Sequence, residues 1–295
     1  MKTQFLDAKT ISALGSLKLV AEKILDGFLL GMHSSPMSGI GLEFNQYRSY
    51  QPGDDLRRID WKMLARSDKY FVRECDVETS IGIRLILDAS DSMRHEEDGM
   101  SKFDYARYLA GAIGLLSYRQ GDQLGLQSLG EERIELPFLR SSQHLNRFLL
   151  TLEKLQAKGV WPKWEEVSQV FTAKRQRTMA VVFSDLYEIR EEEEIKYFLK
   201  KISSLGNEVI LFHLFGEREA TLNYDEKLVE DLETGKRISI GDRKIRAAYR
   251  ERFNAFMKSV ELVCVENGVG YHAVALQTPL EKSLRTFFLE RGKKR

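Results

Sequence analysis

From residue 81 onward, short runs of consecutive apolar residues alternate with longer stretches whose apolar positions recur every three or four residues. The first pattern is that of strands buried on both faces, and the second that of amphipathic helices. It predicts strands at "IGIRLILD" (81–88), "DQLGLQSL" (122–129), "TMAVVFSD" (178–185), "NEVILFHLF" (207–215) and "GYHAVAL" (270–276). "ERIELPF" (132–138) reads as a short strand ended by Pro137. Helices are expected at 102–119, with Phe103, Ala106, Ala110, Ile113 and Leu116 at helical spacing, and at 142–156, opened by Ser141 or Ser142 as N-cap. Further helices are expected at 190–206, at about 243–267 and from about Pro279.

Strands alternating with helices imply an α/β fold, a mostly parallel sheet with helices on both faces. Such sheets gather functional groups at the carboxyl ends of their strands. Asp88 and Asp185 each end a strand and are expected together at one edge of the sheet. The rhythm breaks at "TLNYDEKLVEDLETGKRISIG", a hairpin insertion at about 218–241 with Thr234-Gly235 at its turn. Upstream, "LKLVAEKILDGFLLG" (17–31) is interrupted by Glu22, Lys23 and Asp26 and reads as an amphipathic helix, not a membrane span. Two regions result: 1–78, an N-terminal helix and arm, and 79–295, the sheet domain.

Composition narrows the functional classes. The 295 residues are 43% hydrophobic and 30% charged, and 45 basic residues nearly cancel 44 acidic ones. A net charge of +1 argues against wholesale nucleic-acid binding, which requires a basic surplus. The two cysteines, Cys75 and Cys264, form no disulfide or zinc pattern, which points to the reducing cytoplasm. The five histidines are scattered without ligand spacing.

Two stretches carry candidate chemistry. In "LILDASDSM" (85–93) a buried strand runs into Asp88, Ser90 and Ser92, alternate residues that can converge on one cation. Carboxylate and hydroxyl oxygens suit Mg2+ or Mn2+, and Asp185 can complete the cluster. The competing reading has Ser90 or Ser92 capping the next helix while Asp88 bonds nearby amides. A metal-dependent phosphatase-like hydrolase using Asp88 and Asp185 is the enzymatic alternative. However, the second acid that haloacid-dehalogenase-type phosphatases need is replaced by Ser90, and neither "ASDSM" nor "FSDLY" has the glycines of a serine-hydrolase elbow. The second stretch, "YRSYQPGDDLRRIDWKMLARSDKYFVRE" (47–74), sets Arg48, Asp54, Arg57, Asp60 and Arg66 around Trp61. It reads either as an Arg–carboxylate network around a buried tryptophan that holds the arm to the domain, or as a partner-docking surface.

Together these stretches resemble the bacterial family called domain of unknown function 58, from about Gly39 to the end and including "DLETGKRISIGDRKIRAAYRERF". The resemblance implies a von Willebrand factor A-like domain with a metal-ion-dependent adhesion site. In it Ser90 and Ser92 would be direct hydroxyl ligands, while Asp88 and Asp185 would act largely through water. The fold normally adds a threonine from a loop that here reads "AKGVWPKWEEVS", without one. Family members are commonly encoded beside MoxR-type AAA+ ATPases. The implied function is a non-enzymatic adaptor that couples such an ATPase to client proteins, including membrane-associated complexes, in maturation, assembly or stress response. No "GxxxxGK[ST]" occurs in the chain, so nucleotide hydrolysis would belong to the partner.

Overall fold

The computed structural model describes residues 14–33, 46–49, 64, 70–74, 80–161, 178–187, 192–204, 207–224, 228–230, 237–239 and 243–293. The chain divides into two units, one of residues 1–31 with 81–295 and one of residues 32–80. Of the smaller unit, the described part is chiefly a ribbon. Strand β1 (Gln46–Ser49) pairs antiparallel with β2 (Phe71–Glu74), bringing Gln46 opposite Glu74. Arg48 is a backbone position on β1; Asp54, Arg57, Asp60, Trp61 and Arg66 lie outside the described residues.

The larger unit opens with helix α1 (Leu17–His33). Leu17, Val20, Ala21, Ile24, Leu25 and Phe28 fall on one stripe and are all buried. Phe28 meets Phe288 edge-on at 5.5 Å, so this helix packs with the sheet unit. That corrects the expected grouping of residues 1–78 as one region, because the apolar stripe needs the larger core to cover it.

There follow β3 (Gly82–Asp88), a 3-10 turn at Asp91–Arg94, and a ribbon of β4 (Glu96–Glu97) with β5 (Met100–Ser101). Next come α2 (Lys102–Arg119), β6 (Gln123–Leu129), β7 (Glu135–Leu139), α3 (Ser142–Lys154) and β8 (Thr178–Ser184). The chain continues through α4 (Glu192–Ser204), β9 (Asn207–Phe215) and α5 (Glu217–Thr221). The expected hairpin is the antiparallel pair β10 (Leu228–Glu230) and β11 (Arg237–Ser239). Helix α6 (Arg243–Glu266), β12 (Gly270–Ala275) and α7 (Leu280–Lys293) complete the order.

Six strands form one sheet in the order β12-β9-β8-β3-β6-β7, parallel throughout except for β6 with β7. This is the doubly wound order, and it reverses between β3 and β8. Ile86, Val182 and Leu211 share a buried cluster with Phe198 and Leu199 of α4 and Val260 and Val263 of α6. Alternation along β3 turns Leu85 and Leu87 to the opposite face, where α2 packs. The α/β class expected from the sequence, a mostly parallel sheet covered by helices, is the class observed.

Pro137 does not end its strand. It stands inside β7, where the pairing with β6 shifts register between Leu124 and Leu126. An edge strand with an irregular ladder tolerates a residue that lacks an N–H.

Candidate functional site

Ile83, Leu85, Ile86 and Leu87 are fully buried, so β3 threads the core and delivers Asp88 to the carboxyl edge still covered. A buried carboxylate must find donors. Asp88 Oδ1 accepts the Ser90 N–H at 3.0 Å and the Ser90 hydroxyl at 2.6 Å, and Oδ2 accepts the Ser184 hydroxyl. Ser184 is the last residue of β8, the strand beside β3 at the reversal of the sheet order.

The loop after Asp88 is fixed by its neighbours. The Ala89 N–H donates to the Leu129 carbonyl, the Lys158 N–H to the Ala89 carbonyl, and the Asp91 N–H to the Gly159 carbonyl. Residues 155–161, "LQAKGVW", therefore lie against "DASDSM" and touch it through backbone groups. They include no threonine.

Ser90 stands at the N-cap of the 3-10 turn, but its side chain makes no cap bond. Its hydroxyl lies 2.6 Å from Asp88 Oδ1 and 3.1 Å from the Ser92 hydroxyl, which in turn donates to Asp185 Oδ1 at 3.1 Å. The capping alternative thus holds only in part: Asp88 does bond a nearby amide, while the serines face each other and the carboxylates. Asp88, Ser90, Ser92 and Asp185 are buried in one chain of contacts.

Four further groups complete the site. Lys102, the first residue of α2, is buried and donates to Asp185 Oδ2 at 2.8 Å and to Glu219 Oε1 at 2.7 Å. Glu219 Oε2 accepts the Gly216 N–H. Glu97 from β4 is buried and accepts the N–H groups of Arg218 and Glu219 and the Gln277 amide, clasping the start of α5. His213 Nε2 lies 3.0 Å from the Asp185 carbonyl oxygen, which only accepts. Nε2 therefore carries the proton, and Nδ1 accepts from the Tyr271 hydroxyl at 3.0 Å.

The electrostatics follow from burial and pairing. Burial disfavours the Lys102 ammonium, but Asp185 and Glu219 outweigh it and hold the lysine charged. Burial likewise raises Asp185, yet Lys102 overcomes this and keeps the carboxyl below its ordinary range. Burial lowers His213 to about 4, so it is a neutral support for Asp185. Asp88 has no cation beside it, and burial and Asp185 push it up to about 7. Native Asp88 then keeps a proton that the unfolded chain has lost. Without added divalent cation, stability should be greatest below the ordinary carboxylate range and decline as pH rises through about 7. The Asp185 contribution has the opposite sign and is lost only at lower pH, as its depressed carboxyl protonates. Denaturant titrations across this range should show a flatter slope for Asp88→Asn. An unchanged slope would assign the dependence elsewhere.

The residues fit a small divalent cation. Octahedral ligands at Mg2+ distances place neighbouring oxygens about 3 Å apart. The Ser90 and Ser92 hydroxyls are 3.1 Å apart, as are the Ser92 hydroxyl and Asp185 Oδ1. Asp185 and Glu219 against one lysine leave a negative excess for a cation to offset, and a cation would also favour ionisation of Asp88. Among the described residues no three His, Cys, Asp or Glu side chains group as a metal site, so a cation here depends on the serine hydroxyls.

Sequence reading passed over Lys102, Ser184, Glu97, Glu219 and His213. A signal existed for the first: Lys102 shares a helical stripe with Tyr105, Ala106 and Leu109, and a lysine on an apolar stripe needs a buried partner.

Residues 46–259 match the family described as "Protein of unknown function DUF58". The chain belongs to the DUF58 family. Relatives of this DUF58 chain include uncharacterized proteins of Mycobacterium bovis and Mycobacterium tuberculosis, each 32% identical over 183 residues. Those matches cover 61% of this chain and 58% of each relative, so the chain spans 58% of their length. The uncharacterized protein YeaD of Bacillus subtilis is 28% identical over 102 residues, covering 35% of this chain and 24% of YeaD. Similar solved structures include BatB of Bacteroides thetaiotaomicron, with TM-score 0.47 and 14% identity, covering 72% of this chain and all of that one. The SpRpn10 VWA domain has TM-score 0.41 and 13% identity, covering 70% of this chain and 95% of that one. No described helix is long and apolar enough to cross a membrane.

Proposed function

We infer that this DUF58 chain is a non-catalytic protein-binding module whose Asp88–Ser90–Ser92–Asp185 cluster grips an acidic group of a partner through a weakly held Mg2+ or Mn2+. The observation that carries the reading is the pair of buried hydroxyls 3.1 Å apart, backed by two carboxylates, at the reversal of the sheet order. Ser90 and Ser92 would hold the cation directly. Asp88, braced by Ser184, and Asp185, braced by Lys102, would orient the hydroxyls and its water. A bound cation with few charged ligands would supply an electron-poor position for a partner carboxylate. The hydrolase alternative needs an accessible carboxylate as nucleophile, whereas Asp88 is buried beneath Ser90 and Ser184.

The family resemblance supports a MoxR-type AAA+ ATPase as the partner, with this chain as its cytoplasmic adaptor to client proteins. The test pairs the wild type with Ser90→Ala/Ser92→Ala. Each serine loss should cost about 1 kcal/mol, and the variant should stay folded. Titration calorimetry with Mg2+ should then show heat for the wild type only, and pull-down of the ATPase should fall in the variant and in chelator. Equal retention of the ATPase in all conditions would overturn the cation-bridged reading. Steady turnover of p-nitrophenyl phosphate, abolished by Asp88→Asn, would favour the hydrolase.

A further inference from the structure

Beside the cluster lies a cavity of about 300 Å³ that the reading above leaves unused. Its lining is shared with the site through Lys102, Asp185, His213 and Glu219. It also includes Tyr187, Tyr249, Phe253 and Phe256. The last three stand at helical spacing on α6 and present aromatic surface to it. This volume is at the low end of pockets that enclose small ligands, roughly 300–1,000 Å³, and suits one large side chain.

Arg252 lines the same cavity, is exposed, and makes no ion pair among the described residues. Around it α6 is basic. Residues 243–258 carry Arg243, Lys244, Arg246, Arg250, Arg252 and Lys258 against a single acid, Glu251. In a chain whose charges otherwise balance, this makes α6 a basic helix, and Arg252 brings that charge to the edge of the aromatic cavity. Arg243, Arg250 and Lys258 are also exposed and make no ion pair among the described residues. An exposed arginine beside an aromatic-walled cavity is the arrangement of a protein-recognition hot spot.

We propose that this face of α6 binds an acidic peptide segment of a partner that inserts one aromatic side chain into the cavity beside Lys102 and Asp185. The acidic flanks meet Arg252 and the basic surface of α6, and the ring stacks against Tyr249, Phe253 and Phe256. Charge complementarity selects the acidic segment, and the apolar wall selects the aromatic residue. The contact needs no cation and goes beyond the metal-bridged reading.

The probe is a fluorescein-labelled peptide of glutamates flanking one phenylalanine, titrated in chelator with the full chain and read by polarisation. The wild type should bind it. Arg252→Glu, a surface change that leaves the fold intact, should weaken binding about tenfold or more, the worth of one charge-assisted contact. Replacing the peptide's phenylalanine by serine should weaken it to a similar degree. Exchanging the chelator for Mg2+ should leave the affinity unchanged, which separates this surface from the cation site. Equal binding of the serine peptide, or no effect of Arg252→Glu, would overturn the proposal. Tighter binding to labelled single-stranded DNA or to phosphatidylserine vesicles than to the peptide would also overturn it.

Discussion

Replacing Lys102 with methionine is expected to lower the unfolding free energy by roughly 3–5 kcal/mol, the usual cost of removing one partner from a buried ion pair. Lys102 is buried between Asp185 and Glu219, at 2.8 and 2.7 Å. Methionine fills a similar volume, so the loss is electrostatic: two carboxylates stay in a dry site without their cation. Adding Asp185→Asn and Glu219→Gln should recover much of the stability, because a neutral cluster no longer bears that desolvation cost. Urea denaturation of the single and triple variants checks both. A single variant within 1 kcal/mol of wild type would mean the lysine is not holding the carboxylates. The variant should also bind partner poorly, since Asp185 would lose the bond that aims its other oxygen at Ser92.

The next largest effect is expected from Gly130→Val, at about 3 kcal/mol. Gly130 follows β6, and a Cβ there would stand 2.6 Å from the Ala89 carbonyl oxygen and 2.9 Å from its carbon. Both obstructing atoms are backbone, so no rotamer change relieves them. The only relief is displacement of Ala89, which sits between Asp88 and Ser90. The substitution should lower the melting temperature and disturb the serine pair together. Thermal melts with calorimetric Mg2+ titration read the two effects. A stable variant with unaltered cation binding would show that this loop yields freely.

The strands that build the site were legible because each is a run of apolar residues long enough to be buried on both faces, and because Asp88 and Asp185 end two of them. Helix α2 begins at Lys102, as its periodicity predicted. Its lysine's role was not legible, since its partners lie 83 and 117 residues away and no local pattern announces them. Helix α5 escaped for the same reason. It has five residues, and the carboxylate that clasps its start, Glu97, comes from a ribbon more than a hundred residues earlier. Ser184 stood in plain view before Asp185, yet a serine inside a strand carries no signal until its neighbour strand is known. Pro137 was misread because its lack of an N–H matters only where a ladder bond is required.

The contacts that tie the Asp88 loop to the end of β8 join residues far apart in the chain: Asp88 with Ser184 across 96 positions, and Ser92 with Asp185 across 93. Closing loops of that length precedes any reward from the contacts themselves. During refolding, the half of the sheet from β3 to β7 can form from nearer neighbours, whereas the seam between β3 and β8 must wait for the second half to dock. Cation and partner recognition should accordingly emerge with the slowest refolding phase. A newly made chain would be unable to engage its partner until both halves of the sheet have met.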